Sequence, residues 1–272
     1  MSIRNDFLHS HFASITSSVL LRNRDIIDGH WNGAKCVCFS FDCDFREDMD
    51  ALPAVMEILR LEAVPSSFAI PGHMARLYPQ TMEDLINGGH EIMNHTFSHP
   101  SNFRQLPEDE ISKEIDSFQM LARDYYGYTP KGFRCPHGLR AVNRILFKLL
   151  AMRGMYDSSL LGFGVTVIGK VLEIPITPCP EHPFMAFDSY HHFRFPLFSA
   201  SEGKVLQLWT SLLREAVFIS IFLDPMDLTT RARLSLLAQM VMKAKEEGFT
   251  FDRMDRLHNG FNTQYSRSKS GL

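Results

Sequence analysis

The sequence has no excess of charge of either sign and no long apolar run near its N-terminus. Its 272 residues include 28 Lys and Arg against 31 Asp and Glu, which gives a formal net charge of -3. This balance provides neither the basic field that binds nucleic acid nor a polybasic patch that binds a membrane. Arg and Asp residues surround the short apolar patch near the N-terminus, so we predict no signal peptide, no transmembrane segment and a cytoplasmic location.

Cysteine and tryptophan are also scarce. The five Cys show no paired spacing, and three of them (Cys36, Cys38 and Cys43) lie in or beside one apolar run. This pattern predicts buried thiols in a reducing compartment and not a disulfide framework. Two Trp stand against 22 Phe and 14 Met, which predicts a soft and bulky core.

Apolar runs of strand length alternate with amphipathic stretches about seven times along the chain. Such alternation is typical of parallel βα units. At this length we expect an α/β fold, a distorted (β/α) barrel of about seven parallel strands in a single domain. The predicted strands cover residues 36–41, 67–70, 90–95, 132–136, 155–157, 171–176, 217–223 and 249–251. The predicted helices cover residues 49–61, 79–87, 106–127, 141–152, 203–215 and 230–247.

The barrel is predicted to occupy residues 35–254. Residues 1–34 have no strong period and are predicted to form an N-terminal extension that packs on the barrel. Residues 255–272, with Ser and Gly at their end, are predicted to form a C-terminal tail. Between residues 160 and 200 the alternation of strand and helix patterns becomes irregular, and several prolines interrupt the stretch.

Two histidines four residues apart, His95 and His99, suggest a metal site. In a helical turn both imidazoles would lie on one face and could reach one ion. Asp42 and Asp44 close the first apolar run on the same side of an extended chain, so one of them could complete a site of three ligands with an open position. Alone, a His-x-x-x-His spacing in a chain with twelve histidines is more often chance.

Ionisable residues also follow five different predicted strands. In parallel α/β folds the carboxyl ends of the strands meet at one rim, where ligands bind. Random placement would scatter such residues over both rims and the helices. The residues concerned are Asp42, Asp44, His95, Arg134, Asp157 and Asp224.

The order and spacing of four motifs resemble the polysaccharide deacetylase family, also called the NodB homology domain or carbohydrate esterase family 4. The motifs are Phe41-Asp42-Cys43-Asp44, His95-Thr96-Phe97-Ser98-His99, Arg134-Cys135-Pro136-His137-Gly138 and Tyr156-Asp157-Ser158-Ser159. The resemblance covers about residues 35–253. It implies a distorted (β/α) barrel and a metal-dependent hydrolase that removes an acyl group from an amide or ester.

The resemblance implies a role for each matched residue. Asp44, His95 and His99 would hold a divalent metal, most simply zinc. Asp42 would be the base that takes a proton from water, and Arg134 would hydrogen-bond that base. Asp157 would in turn be the partner of Arg134, the backbone N–H of His137 would donate to the oxyanion, and Pro136 would contact substrate.

The last motif departs from the family. The family typically has a histidine shortly after the last apolar strand, which protonates the leaving amine, whereas this chain has Leu223-Asp224-Pro225. An aspartate can donate a proton at neutral pH only if burial or a neighbouring carboxylate raises its pKa. Three outcomes stay open: Asp224 is the acid, a histidine of the irregular segment replaces it (His182, His191 or His192), or activity is weak or absent.

Aromatic and histidine residues between 180 and 200 suggest contact with a glycan, although such rings could equally cap the barrel or bury an interface. Phe187, His191 and His192 are the predicted substrate-binding residues of this segment. The expected partner is an N-acylated sugar or a lipid-linked amino sugar, with acetyl as the expected acyl group. The alternatives are a deformylase or amidohydrolase acting on another C–N bond, and a catalytically impaired glycan-binding relative. The oligomeric state is left open.

Overall fold

The computed structural model of the protein describes residues 34–138 and 142–260. They form an α/β fold in which helices surround one mostly parallel sheet, which confirms the predicted fold class. The strands of this part of the chain are β1 (Cys36–Asp42), β2 (Ser67–Ile70), β3 (Glu91–Asn94), β4 (Gly132–Phe133), β5 (Tyr156–Asp157), β6 (Thr166–Ile168), β7 (Val171–Glu173), β8 (Phe218–Leu223) and β9 (Thr250–Phe251).

The helices alternate with these strands as predicted. They are α1 (Arg46–Leu61), α2 (Gly72–Leu77), α3 (Pro79–Asn87), α4 (Glu108–Tyr126), α5 (Arg144–Arg153), α6 (Glu202–Glu215) and α7 (Arg231–Glu246). Shorter turns are the 3₁₀ turns Phe103–Gln105 and Pro225–Leu228 and the π turn Tyr190–Arg194.

The strands follow the order β6-β7-β5-β4-β3-β2-β1-β8, and β9 pairs with the start of β1. All neighbouring pairs are parallel except β6 with β7. The irregular segment 174–192, which we call the seam segment, lies between the two ends of the sheet. The N–H of Thr177 donates to the carbonyl of Ser220 at 2.7 Å, and Asp188 forms a parallel bridge with Phe222. The seam of the distorted barrel is therefore filled by this segment and not by a regular strand ladder.

Burial on both faces explains why β1 is an unbroken apolar run. Residues Cys36 to Phe41 are all buried, because helices cover the sheet. α1 contributes its apolar face to the same core, and Trp209 of α6 donates its indole N–H to the carbonyl of Met240 at 2.8 Å. This bond ties α6 to α7 inside the apolar layer. All five cysteines are free and buried, as predicted.

Some element boundaries differ from those predicted. The helix predicted for residues 141–152 runs from Arg144 to Arg153, because the side chain of Asn143 accepts the N–H of Leu146 at 2.9 Å and fixes its start. Residue 141 lies outside the described residues. The strand predicted for 171–176 ends at Glu173, after which the chain leaves the ladder and crosses the seam. The helix α2 and the antiparallel strand β6 were not predicted.

The predicted N-terminal extension and most of the predicted tail lie outside the described residues. The core continues past the predicted boundary at residue 254, since Met254 and Leu257 are buried against Cys36 and Cys38. Within residues 34–138 and 142–260, no helix combines the length and the apolarity that crossing a bilayer requires.

The strand register brings the predicted polar residues to one rim. Asn94 of β3 is level with Phe133 of β4, and Phe133 is level with Asp157 of β5. On the other side of the sheet, Phe41 of β1 is level with Leu223 of β8. The residues that follow these positions therefore emerge together at the carboxyl ends of the strands.

Candidate metal centre and active site

The two histidines lie in a loop that follows β3, not in a helical turn as the spacing suggested. Thr96 and His99 adopt left-handed backbone conformations, with φ angles of 63° and 56°. Asn94 stabilises this path by accepting the N–H of Thr96 at 2.9 Å, and the N–H of His99 donates to the Thr96 hydroxyl at 3.1 Å. The helical geometry was the wrong explanation, although the loop brings the two rings to a centroid distance of 4.9 Å.

Glu114 of α4 fastens the same loop from outside. Its Oε2 accepts the N–H of Phe97 at 2.9 Å and the N–H of Ser98 at 2.8 Å, and its Oε1 accepts the Ser98 hydroxyl at 2.8 Å. The backbone between His95 and His99 is thus held by a carboxylate that the sequence did not single out. In the sequence, Glu114 is marked only by its position on the helix that follows the loop. Many residues share that property, so it could not identify Glu114.

The substitution Glu114→Ala should therefore weaken metal binding by about tenfold, within the range typical for groups that orient metal ligands. The loss arises because, without this carboxylate, the histidine loop populates more conformations that do not bind the ion. Metal affinity measured by competition with a chromophoric chelator tests this, with Glu110→Ala on the same helix as the control. Equal affinities for Glu114→Ala and the unmodified protein would contradict the assignment.

Asp44, His95 and His99 converge on one point. Asp44 Oδ1 lies 3.0 Å from His95 Nε2 and 3.3 Å from His99 Nε2, and the ligand atoms of all three lie within 4.8 Å of one another. His95 Nδ1 lies 2.7 Å from the carbonyl oxygen of Arg134. A proton on Nδ1 makes that hydrogen bond and leaves the Nε2 lone pair facing Asp44. His99 Nε2 is buried and makes no hydrogen bond with the described residues.

The pKa values of the three groups in this cluster depend on burial and on one another's charge. Burial raises the pKa of Asp44, but the hydrogen bond and charge of His95 outweigh it and lower that pKa to about 2. Burial lowers the pKa of His95, but the Asp44 carboxylate raises it by more. Burial, with the charge of His95, lowers the pKa of His99 to about 4. A divalent cation would replace the proton on His95 and satisfy the bare nitrogen of His99.

The guanidinium of Arg134 lies beside this cluster and is almost completely buried. Its Nη1 donates to Asp42 Oδ1 at 2.6 Å and to the Ser40 hydroxyl at 2.8 Å. Its Nε and Nη2 donate to the carbonyl and hydroxyl oxygens of Ser158, both at 2.9 Å. Asp42 therefore has one carboxylate oxygen fixed by a charge-assisted bond, while 12% of its side chain is exposed at the rim.

Asp157 does not hydrogen-bond Arg134, which corrects its predicted role as the direct partner of that arginine. Instead its Oδ1 accepts the Ser159 hydroxyl at 2.7 Å, and that hydroxyl accepts the N–H of Cys135 at 2.8 Å. Burial raises the pKa of Asp157 and that of its neighbour Glu173. Asp157 thus positions the backbone that follows Arg134.

Asp224 follows β8 as predicted, but its carboxylate forms an ion pair with Arg194. Arg194 also donates to Asp227 at 3.0 Å, and the N–H of Asp224 donates to the Ser189 hydroxyl at 2.7 Å. An ion pair with a guanidinium keeps a carboxylate in its charged form, in which it accepts and does not donate. This geometry does not support the predicted role of Asp224 as a proton donor.

A second buried carboxyl group in this region was not predicted. Asp188 accepts the N–H of His191 at 2.6 Å. Burial, followed by the charge of Asp42, raises the pKa of Asp188 to about 7 despite that bond. It therefore retains a proton over part of the neutral range.

The predicted substrate-binding residues are enclosed in the protein interior. Pro136, Phe187, His191 and His192 are all buried. Phe187 packs against Trp209 at a ring distance of 5.9 Å. Such side chains present no surface to a glycan here, so their burial does not support the predicted role as substrate contacts. Burial also lowers the pKa of His191 and that of His192, the latter to about 4, which opposes a role for either as a proton donor.

His137 has an exposed side chain whose ring centre lies 5.0 Å from that of His99. Its backbone is left-handed, with a φ of 61°, as the chain turns away after Pro136. The turn places the His137 backbone next to the rim that carries the histidine loop.

Known proteins resemble this chain in sequence and in fold. Residues 31–155 match the family model for polysaccharide deacetylase. The predicted resemblance to the polysaccharide deacetylase family is confirmed over these residues. The matched region ends just before β5, so it includes Asp42, Asp44, His95, His99 and Arg134.

A curated protein to which this chain is similar is the peptidoglycan-N-acetylglucosamine deacetylase of Bacillus cereus. The two are 33% identical over 110 residues, which cover 40% of this chain and 38% of that protein. The match thus spans well under half the length of the relative.

Solved structures show the same fold. A crystal structure of a Mycobacterium smegmatis protein assigned to the polysaccharide deacetylases has a TM-score of 0.72 at 22% identity and covers 86% of this chain and 92% of that one. A carbohydrate esterase family 4 pseudoenzyme from Bacillus anthracis has a TM-score of 0.58 at 18% identity, covering 83% and 66%.

Proposed function

We propose that this polysaccharide deacetylase family member is a metal-dependent hydrolase that removes an acyl group from an N-acylated sugar, with zinc as the metal and acetyl as the acyl group. The convergence of Asp44, His95 and His99 beside a carboxylate fixed by Arg134 carries the proposal. One carboxylate and two imidazoles leave coordination positions open, as hydrolytic zinc sites do. The bare Nε2 of His99 supports an ion at this point.

The chain's own residues supply the remaining parts of the reaction. A divalent ion held by Asp44, His95 and His99 would act as a Lewis acid on the acyl carbonyl and lower the pKa of water at the site. Asp42 accepts the proton from the attacking water, and Arg134 holds one of its oxygens so that the other faces the rim. The N–H of His137 donates to the oxygen that gains charge as the carbonyl is attacked.

A sugar substrate is supported by what surrounds the rim. Phe45 directly follows Asp44, and 52% of its side chain is exposed. Tyr190 is 46% exposed and carries Arg194 over its ring at 4.9 Å. Exposed aromatic faces can pack against the C–H face of a sugar ring. The Bacillus cereus relative, by its name, acts on N-acetylglucosamine, which makes this sugar in a glycan or on a lipid carrier the first substrate to test.

The direct test is acyl release from N-acetylated and N-formylated amino-sugar oligomers. We expect acetate release that a chelator abolishes and that added Zn²⁺ restores. Formate release without acetate release would move the proposal to a deformylase. Cleavage of cyclic amides in place of either sugar would move it to an amidohydrolase.

A glycan-binding protein without turnover is the second candidate. The observation that favours it is the ion pair between Asp224 and Arg194, because it engages the residue at the end of β8 as a hydrogen-bond acceptor. Binding of the same oligomers by the metal-loaded protein, with no acyl release from any of them, would establish this alternative.

We expect Asp224→Asn to retain kcat within about tenfold, less than the roughly 10²-fold or greater loss typical for a general acid. The physical reason is that Arg194 already holds Asp224 as an acceptor. The pH dependence of kcat provides the measurement, and Asp188→Asn, assayed alongside, examines the neighbouring carboxyl group by the same readout. A loss of more than 100-fold in Asp224→Asn, together with removal of the alkaline limb, would assign the acid to Asp224 after all.

A further inference from the structure

A second cluster of metal-binding side chains lies in the seam segment, apart from the centre described above. The Sγ atom of Cys179 lies 3.8 Å from His182 Nδ1, and His182 Nδ1 lies 3.1 Å from His191 Nε2. The ligand atoms of these three residues all lie within 4.8 Å of one another. A fourth side chain, His192, brings its Nε2 to 3.8 Å from the same sulfur.

These separations are close to those of a metal site. Zinc–sulfur bonds of about 2.3 Å and zinc–nitrogen bonds of about 2.0–2.1 Å at tetrahedral angles place ligand atoms roughly 3.3–3.6 Å apart. The observed sulfur–nitrogen separations of 3.8 Å and nitrogen–nitrogen separation of 3.1 Å bracket these values. The ligand atoms of Cys179, His182 and His191 are therefore close enough to share one ion.

Backbone carbonyls orient the far side of two of the three histidine rings, those of His191 and His192. His191 Nδ1 lies 3.0 Å from the carbonyl oxygen of Ala186, and His192 Nδ1 lies 2.6 Å from that of Asp188. A carbonyl accepts only from a protonated nitrogen, so both protons sit on Nδ1. The Nε2 of His192 therefore presents a lone pair towards Cys179, and that of His191 presents one towards His182 Nδ1, as in metal sites where a backbone carbonyl fixes the ligand tautomer.

Burial and ligand type indicate a structural ion. Cys179, His182, His191 and His192 are all buried, whereas Asp44 of the first centre has 26% of its side chain exposed. Closed sites with sulfur and nitrogen ligands are typical of structural zinc, while catalytic sites keep an open position. An ion bound here would also restrain the end of β8, because the same segment carries Ser189, whose hydroxyl accepts the N–H of Asp224.

We propose that Cys179, His182 and His191 bind a second, structural Zn²⁺ ion, with His192 as the fourth ligand. The ion would hold residues 179–192 together in the seam of the barrel and so fix the segment that faces the end of β8. Binding replaces the thiol proton of Cys179 with the metal and releases that proton to solvent. The alternative is a metal-free network in which the thiol donates to His192 and His182 donates to His191.

Cobalt substitution distinguishes these two states, because a Co²⁺–thiolate bond gives a charge-transfer absorption in the near ultraviolet that oxygen and nitrogen ligands do not. We expect the full chain to bind two equivalents of Co²⁺, one of which produces this band. Asp44→Asn should lose one equivalent and keep the band. Cys179→Ser should lose the other equivalent and the band, and Cys36→Ser, which removes a different buried thiol, should retain both.

If Cys179→Ser does not fold, the Co²⁺ spectrum of the unmodified protein still tests the proposal. A single equivalent of Co²⁺ without a thiolate band, or a band that Cys36→Ser abolishes and Cys179→Ser keeps, would overturn the proposal. The outcome is independent of the hydrolase proposal, because the band requires only the sulfur of Cys179. Lack of acyl release with the band present would reject the enzyme and leave the structural site standing.

Discussion

Asp42→Asn should lower kcat for acyl release by a factor of roughly 10²–10⁴, the range typical for loss of a positioned base. The amide of Asn has nearly the same shape as the carboxylate but cannot accept a proton from water. Since Arg134 donates to Asp42 Oδ1 at 2.6 Å, the amide oxygen can keep that bond. Metal content should therefore stay the same while turnover falls.

The variant Asp44→Asn distinguishes the role of Asp44 from that of Asp42. Asp44 lies 3.0 Å from His95 Nε2 and is a predicted ligand, so its replacement should lower both metal content and turnover. Asp50→Asn provides the control, because Asp50 is an exposed carboxylate of α1 that accepts from the Tyr78 hydroxyl. If Asp42→Asn retained full kcat at full metal occupancy, the base would have to be another group.

The position of these carboxylates could be predicted because strand direction controls it. In a parallel sheet every strand ends at the same rim, so a polar residue that directly follows an apolar run has a defined location. Asp42, His95, Arg134 and Asp224 all satisfy this condition, and the register places them at one rim. No knowledge of loop conformation was needed for that part of the site.

The conformation of the histidine loop could not be predicted in the same way. The spacing of His95 and His99 suits a helical turn, yet Thr96 and His99 are left-handed and the loop follows another path. Its shape depends on Glu114, which lies 15 residues after His99 in sequence and reaches the loop only after α4 has packed. A contact between residues far apart in sequence leaves no local pattern.

Side-chain burial in the seam segment was a point that the sequence left open. Aromatic and histidine residues in an irregular stretch are as compatible with a binding surface as with an interior. Phe187, His191 and His192 are interior because the segment fills the gap between the ends of the sheet. Cys179 lies at the centre of this interior cluster, and its isolated position in the sequence gave no sign of three imidazoles around it.

Arg134→Lys should lower kcat by about 10–100-fold, the loss typical when a group that orients a metal site is replaced. Lys keeps the positive charge but cannot reproduce the planar fork of guanidinium donors. Arg134 uses that fork to reach Ser40, Asp42 and Ser158 at once. Each buried acceptor left without a partner would also cost about 1–3 kcal/mol of the free energy of unfolding.

Turnover measured per folded, metal-loaded molecule shows whether Arg134 positions the base or only stabilises the fold. Without the guanidinium, Asp42 loses the donor that orients its carboxylate, so kcat should fall while the metal content stays the same. A purely structural role would lower the folded fraction and leave the kcat of the folded protein unchanged. Arg153→Lys is the matched control, because Arg153 donates to both oxygens of Asp116, at 2.8 and 2.6 Å, outside the site. An unchanged kcat in Arg134→Lys, measured at full metal occupancy and well below its melting temperature, would remove Arg134 from the mechanism and leave it a buried ion pair of the barrel.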